Sequence, residues 1–200
     1  MPNPDLHHLP RLDRSRYQAF AAVHWTMPVL PRVPGWLDDR FHQQFRELQL
    51  HACARERLFC PAYCLMPDHL HFVWIGLSVQ SNQRNAVKFF REHLNRMLAG
   101  ENLSEPGSPA NSRSQLPRKW KLQSQAHDHL LTEDEREHDA FAKVCFYVLA
   151  NPVRAELAQR EQDWPFSGAI LPGYPTLHPF QEDYWQLFWR LYYQHRESTP

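Results

Sequence analysis

The order of local signals along the chain predicts an α+β fold: a ferredoxin-like antiparallel sheet with a βαββαβ core, helices on one face and an aromatic helical extension at the C-terminus. Three observations predict it. Apolar residues alternate with period two in some segments and recur near 3.6 in others, in the order strand, helix, strand, strand, helix, strand, helix. Met66-Pro67-Asp68 separates two short apolar runs in the manner of a hairpin. The 200 residues are 42% apolar and 22% charged, which suits one globular domain with a proper core.

Residues 1–15 are rich in Pro and His and read as a flexible leader. Residues 17–26 read as the first strand, after which Pro28, Pro31, Pro34 and Gly35 break the chain into a loop. Over 36–57, Leu37, Phe41, Phe45, Leu48 and Cys53 fall near one helical face, with Asp38 and Asp39 in the first turn where the helix dipole favours acids. Residues 58–65 and 69–77 form the expected hairpin, and 80–99 a second helix with Val87, Phe90, Leu94, Met97 and Leu98 on its apolar side. The Ser-, Pro- and Gly-rich stretch 100–117 reads as a mobile loop and 120–131 as a fourth strand. Thr132 and Glu135 have capping-box spacing for a helix over 133–150, which Pro152 ends or kinks at Asn151. A short amphipathic piece at 153–159, an irregular Pro-rich segment at 164–180 and a very aromatic helix at 181–195 complete the chain.

Composition excludes several classes. No apolar run approaches the roughly 18 residues of a membrane span, and the N-terminus lacks signal-peptide character. Cys53, Cys60, Cys64 and Cys145 contain no CxxC pair, so neither a zinc ribbon nor a disulfide framework is indicated, and the expected compartment is the cytoplasm. The 22 basic and 22 acidic residues cancel, which counts against nucleic-acid binding. Basic residues nevertheless predominate between Arg84 and Lys121, a stretch that equally reads as a solvated helix surface.

Two groups of residues carry candidate chemistry. His69 and His71 lie two apart on a strand, so both imidazoles project from one face and could grip one divalent ion, although a third ligand is required. The same pair also reads as half-exposed strand histidines. Tyr147 and Asn151 lie four apart on a helix face, where an amide oxygen suits Mg2+ or Mn2+ and a neighbouring phenol could attack a phosphate. They also read as a tyrosine at a core edge and an asparagine marking a helix end. His127 and His129 share a strand face as rivals for a metal site, and His24 reads as a core or edge residue.

Residues 62–74 (AYCLMPDHLHFVW) resemble the metal-binding signature of the single-tyrosine HUH transposases, most closely their REP-associated tyrosine transposase branch. Residues 146–157 (FYVLANPVRAEL) resemble the nucleophile helix of that branch, residues 119–131 the preceding strand, and residues 163–167 (DWPFS) its closing motif. The resemblance spans about residues 17 to 168 and implies a catalytic domain over 16–168, with 169–200 as a C-terminal extension packed on it. It implies His69, His71 and Asn151 as ligands of Mg2+ or Mn2+, and Tyr147 as a nucleophile that forms a 5′-phosphotyrosine with single-stranded DNA beside imperfect hairpins and can rejoin strands. The partner is then hairpin-bearing single-stranded DNA, and the chain a monomer or homodimer. Lys88, Arg91, Arg96, Lys119, Lys121 and Arg154 are the candidate DNA contacts. Two positions depart from the family pattern: Glu156 where Gly is common and Leu131 where a basic residue is frequent. The competing expectations are a hydrolase that uses the HxH pair with water as nucleophile, and a catalytically silent protein that binds DNA hairpins.

Overall fold

A computed structural model describes residues 13–100 and 120–197. Most of the expected leader, the 100–117 loop beyond Gly100, and Lys119 lie outside the described residues. Six strands form one sheet: β1 (Ala22–Leu30), β2 (Leu58–Met66), β3 (His69–Gly76), β4 (Lys121–Leu122), β5 (His127–Leu130) and β6 (Ser167–Ile170). The α-helices are α1 (Asp39–Glu56), α2 (Gln83–Leu98), α3 (His138–Leu149), α4 (Asn151–Arg154) and α5 (Tyr184–Glu197). Strand order is β4-β1-β3-β2-β6, with β5 also on β1 and every pairing antiparallel. The predicted α+β, ferredoxin-like class is the one observed.

Strand alternation divides the apolar side chains between two cores. On one face Trp25, Tyr63, Phe72 and Trp74 pack against Phe41 and Phe45 of α1 and Phe90 of α2. On the other face Ala62, Cys64, Val73 and Ile75 pack against Phe141, Cys145 and Val148 of α3 and Tyr184 and Phe188 of α5. Thus the helices of the βαββαβ core share one face, and α3 with the aromatic extension closes the other. The core helices start at side-chain caps: Asp38 accepts from the Phe41 N–H at 2.7 Å, and Asn82 from Arg84 and Asn85 at 3.1 and 3.2 Å. Among the described residues no helix is long and apolar enough to cross a membrane.

The structure corrects four local expectations. Residues 14–17 form a 3-10 turn, and β1 instead continues past Pro28 to Leu30. It can do so because neighbouring backbone satisfies that end: Val29 N–H donates to Asp68 (2.8 Å) and Gln123 N–H to the Pro28 carbonyl (2.8 Å). The single strand expected over 120–131 is split into β4 and β5, with Arg91 Nη2 donating to the Gln123 and Ser124 carbonyls (2.6 and 3.1 Å) between them. The Thr132–Glu135 capping box forms but encloses a 3-10 turn at Asp134–Arg136, and α3 begins only at His138. The segment read as irregular contains β6, whose pairing with β2 spans the 168/169 boundary drawn from sequence.

Pro61 lies within β2, which is buried throughout, and pairing with both neighbours shifts register around it. Its carbonyl accepts a 2.7 Å bond from the buried Tyr184 hydroxyl, which ties α5 to the bulge. Gly76 ends β3 where a Cβ would sit 1.7 Å from the Ala19 carbonyl oxygen, a backbone atom. Gly76→Ala is therefore expected to lower unfolding stability by about 3 kcal/mol or more through overpacking. Urea denaturation checks this; a change within 1 kcal/mol contradicts it.

Candidate functional site

The β2–β3 turn is held from outside: Trp36 Nε1 donates to the Pro67 carbonyl at 2.6 Å. This fixes where β3 begins, so period two puts His69 and His71 on the α3 face while Leu70 enters the opposite core. The two Nε2 atoms stand 2.9 Å apart. Nδ1 of His69 lies 2.6 Å from Asp68 Oδ1, so it carries the proton and Nε2 presents a lone pair. Nδ1 of His71 lies 3.0 Å from Thr26 Oγ1 and 3.1 Å from His24 Nε2.

Two lone pairs repel at 2.9 Å, so with the His69 proton on Nδ1 the short contact requires His71 Nε2 to be the donor. Thr26 and His24 supply the complementary partner: either can accept from His71 Nδ1 if the proton moves there. Both Nε2 lone pairs would then face one point, with each Nδ1–H oriented by a neighbour, as metal-binding imidazoles usually are. Burial, followed by the charges of His69 and His24, pushes His71 down to about 3, and burial pushes His24 down to about 4. Both are neutral at pH 7, the form a metal ligand requires.

That neutrality has a stability consequence. The folded pKa lies below the unfolded value near 6.5, so the contribution is full above that value and is lost as pH falls toward the folded one. Acidification from pH 7 to pH 5 is expected to cost on the order of 2 kcal/mol through His71 alone. His24 and His42, also depressed to about 4, add in the same direction. Equal urea midpoints at the two pH values would contradict this.

Tyr147 meets the histidine row at His24. Its ring lies edge-on to His24 with centroids 6.3 Å apart, and the residue is 52% exposed, open to a large substrate. Arg154 folds back from α4, its guanidinium carbon 4.0 Å from the Tyr147 ring centroid and Nη2 donating to the phenol oxygen at 3.0 Å. The turn that permits this is the break between α3 and α4, where Pro152 occupies the first turn of α4. Asn151 is buried, and its Nδ2 donates to the Tyr147 and Val148 carbonyls at 3.2 and 2.9 Å. It therefore closes the end of α3, and Oδ1 is the side-chain atom not engaged in that cap. No cluster of three or more His, Cys, Asp or Glu suits a metal among the described residues. An Asn side-chain oxygen belongs to the ligand types that suit Mg2+ or Mn2+.

The structure thus gathers His69, His71, Tyr147 and Arg154 on one sheet face, with Asn151 one turn beyond Tyr147. Among the described residues it does not gather Lys88, Arg91, Arg96 or Lys121 there. Lys88, Arg91 and Arg96 lie on α2, which packs against the opposite face, and Arg91 is engaged with the β4–β5 connection. Lys121 is exposed on the short outer strand β4. His129, the rival ligand, sits opposite His24 in register and bonds Glu135 at 2.8 Å. His24, read from the sequence as a core or edge residue, and Thr26 and Asp68, which sequence reading missed, also belong to the site. Only the β1–β3 register, which sets Thr26 opposite His71, reveals the first two. Asp68 had a signal, a carboxylate immediately before the HxH pair.

Both departures from the family pattern have a structural setting. Glu156 adopts a left-handed backbone, φ 57°, where Gly is the unstrained choice. Leu131 is buried in the α3–α5 core, where a basic side chain would need a partner. The DWPFS segment fastens β6 to the HxH hairpin: Trp164 Nε1 donates to the Leu65 carbonyl, and Leu65 N–H to that of Phe166, each at 2.9 Å.

No family model and no curated protein matches the chain. Among solved structures, one described as a REP-associated tyrosine transposase bound to a REP hairpin matches with a TM-score of 0.56 and 19% identity, over 80% of this chain and 82% of that one. Fold and site together define an antiparallel α+β domain that presents paired imidazoles, with an exposed tyrosine edge-on to the neighbouring His24. Its fold is similar to that of the hairpin-bound transposase.

Proposed function

We propose that the chain is a metal-dependent single-stranded DNA endonuclease and strand transferase that cleaves beside DNA hairpins through a 5′-phosphotyrosine on Tyr147, in DNA transposition or REP-element processing. The observation that carries this is the exposed Tyr147 phenol, held at 3.0 Å by Arg154 and edge-on to His24, the end of the His24–His71–His69 row. The likeness in fold to a transposase bound to a REP hairpin supports it.

His69 Nε2, His71 Nε2 and Asn151 Oδ1 would hold Mg2+ or Mn2+, which when bound withdraws charge from a non-bridging phosphate oxygen. The remaining steps belong to the chain. Arg154 orients the phenol oxygen and offers positive charge to the scissile phosphate. The Tyr147 oxygen loses its proton to solvent and bonds to phosphorus, the bond from phosphorus to the 3′-oxygen breaks, and that oxygen takes up a proton as a free 3′-hydroxyl. The tyrosyl ester retains the phosphodiester's energy, so another 3′-hydroxyl can reverse the step without ATP.

The test is incubation of the chain with hairpin-bearing single strands in Mg2+ or Mn2+, followed by denaturing electrophoresis. A DNA-linked protein band is expected. Binding without any cleavage would instead indicate a silent hairpin-binding protein, and cleavage without an adduct a water-using hydrolase.

A further inference from the structure

Cys145 and Val148 of α3 pack against Ala62 and Val73 of the sheet. That core fixes the helix axis. It does not choose the rotamer of Tyr147, which lies outside it and is half exposed. Among the described residues, two side chains make polar or ring contacts with the Tyr147 side chain: Arg154 and His24. Arg154 is exposed and belongs to α4, which follows α3 directly, so its contact stays within one helical unit. His24 belongs to the sheet. It stands where β1 is paired on both sides, opposite Val73 of β3 and His129 of β5. From there its ring reaches diagonally to His71, with centroids 5.2 Å apart and Nε2 3.1 Å from Nδ1. The Tyr147 ring meets the same imidazole edge-on, at 6.3 Å and 73°. One imidazole on a doubly paired strand thus touches both a candidate metal ligand and the candidate nucleophile.

We propose that His24 is a positioning residue whose ring holds the Tyr147 ring in register with the His69–His71 pair. Its hydrogen bond to His71 is not the distinctive contribution, because Thr26 Oγ1 stands 3.0 Å from the same Nδ1. The contact with Tyr147 has no such duplicate from the sheet among the described residues. Placement of this kind is felt strongly in rate: a nucleophile displaced by about 1 Å from its phosphate loses roughly 10^2-fold. His24 acts through Tyr147 and exchanges no proton in this role. The inference rests on the proposed strand-cleaving function and says how its nucleophile is placed.

The test compares wild type with His24→Ala, His24→Leu and His24→Phe, with thermal melts confirming that each is folded; the Leu variant keeps the comparison available if the Ala variant does not fold. Three quantities are read. The first is the set of Tyr147 ring resonances in the chain without metal or DNA, assigned by their loss in Tyr147→Phe. The second is Mn2+ affinity by calorimetry, and the third the rate of adduct formation on hairpin-bearing single strands at saturating Mn2+ and DNA. The two variants without a ring are expected to move the Tyr147 resonances toward those of a free tyrosine and to slow adduct formation about 10^2-fold. Mn2+ affinity should fall by less than about 10-fold, the lower end for loss of a ligand's partner, because Thr26 remains. His24→Phe restores a ring without a ring nitrogen and should recover most of the rate. Folded ringless variants with wild-type resonances and rate would overturn the inference. A His24→Phe variant as slow as His24→Ala would overturn it too, by assigning the effect to the ring nitrogen. So would a slowdown that excess Mn2+ abolishes, which would make His24 a support for His71 alone. If wild type itself forms no adduct, the functional reading fails, and this inference with it.

Discussion

Tyr147→Phe is expected to abolish the covalent DNA adduct and to lower single-strand cleavage by about 10^4-fold or more, the scale on which loss of a nucleophile is felt. The change removes one oxygen. The ring stays, and with it the edge-on approach to His24 and the stacking of Arg154 at 4.0 Å. Tyr147 is half exposed and its hydroxyl bonds only outward to Arg154, so stability should move by no more than about 0.5 kcal/mol. A folded variant that forms no adduct thus isolates the chemistry from the scaffold. If the phenylalanine variant still cleaves at the wild-type rate, the nucleophile is water and the tyrosine is a surface residue. Loss of cleavage with hairpin binding intact would place the defect at the chemical step.

What could be read in the sequence divides by range. The α1 and α2 helices and the β2–β3 hairpin were legible because their signals are local: a 3.6 period, acids in the first turn of α1, and a Pro-Asp break between apolar runs. The His69–His71 pairing was legible because period two alone puts both rings on one face. Tyr147 and Asn151 could be placed together by helical spacing, although the sequence could not show that Asn151 also ties down the carbonyls of Tyr147 and Val148. Tertiary facts were beyond reach. β6 has four residues after a Pro-rich approach and exists because β2 has a free edge. His24 becomes part of the site only through an antiparallel register of β1 on β3 that no local pattern encodes. Arg91 looked like a phosphate contact because a guanidinium's partner, here the Gln123 and Ser124 carbonyls, lies 32 and 33 residues away.

His71→Ala is expected to be as damaging as loss of the nucleophile, for a different reason. His71 is 8% exposed and stands at the centre of the row, with Nε2 toward His69 and Nδ1 toward Thr26 and His24. Its removal leaves His69 as a lone imidazole, and a single nitrogen with one amide oxygen does not hold Mg2+ or Mn2+ against water. Mn2+ affinity, followed by calorimetry or electron paramagnetic resonance, should fall at least about 100-fold, since even loss of a ligand's hydrogen-bond partner costs 10- to 100-fold. Metal-dependent cleavage should fall with it. His69→Ala provides the matched comparison, because that ring is more exposed and its loss opens less of the core. The two variants should agree in lost metal affinity and differ in stability, with His71→Ala the less stable. Wild-type Mn2+ affinity in both folded variants would remove the metal from this face and leave the imidazole pair as a hydrogen-bonded strand contact. Strand cleavage would then have to arise from Tyr147 and Arg154 without it.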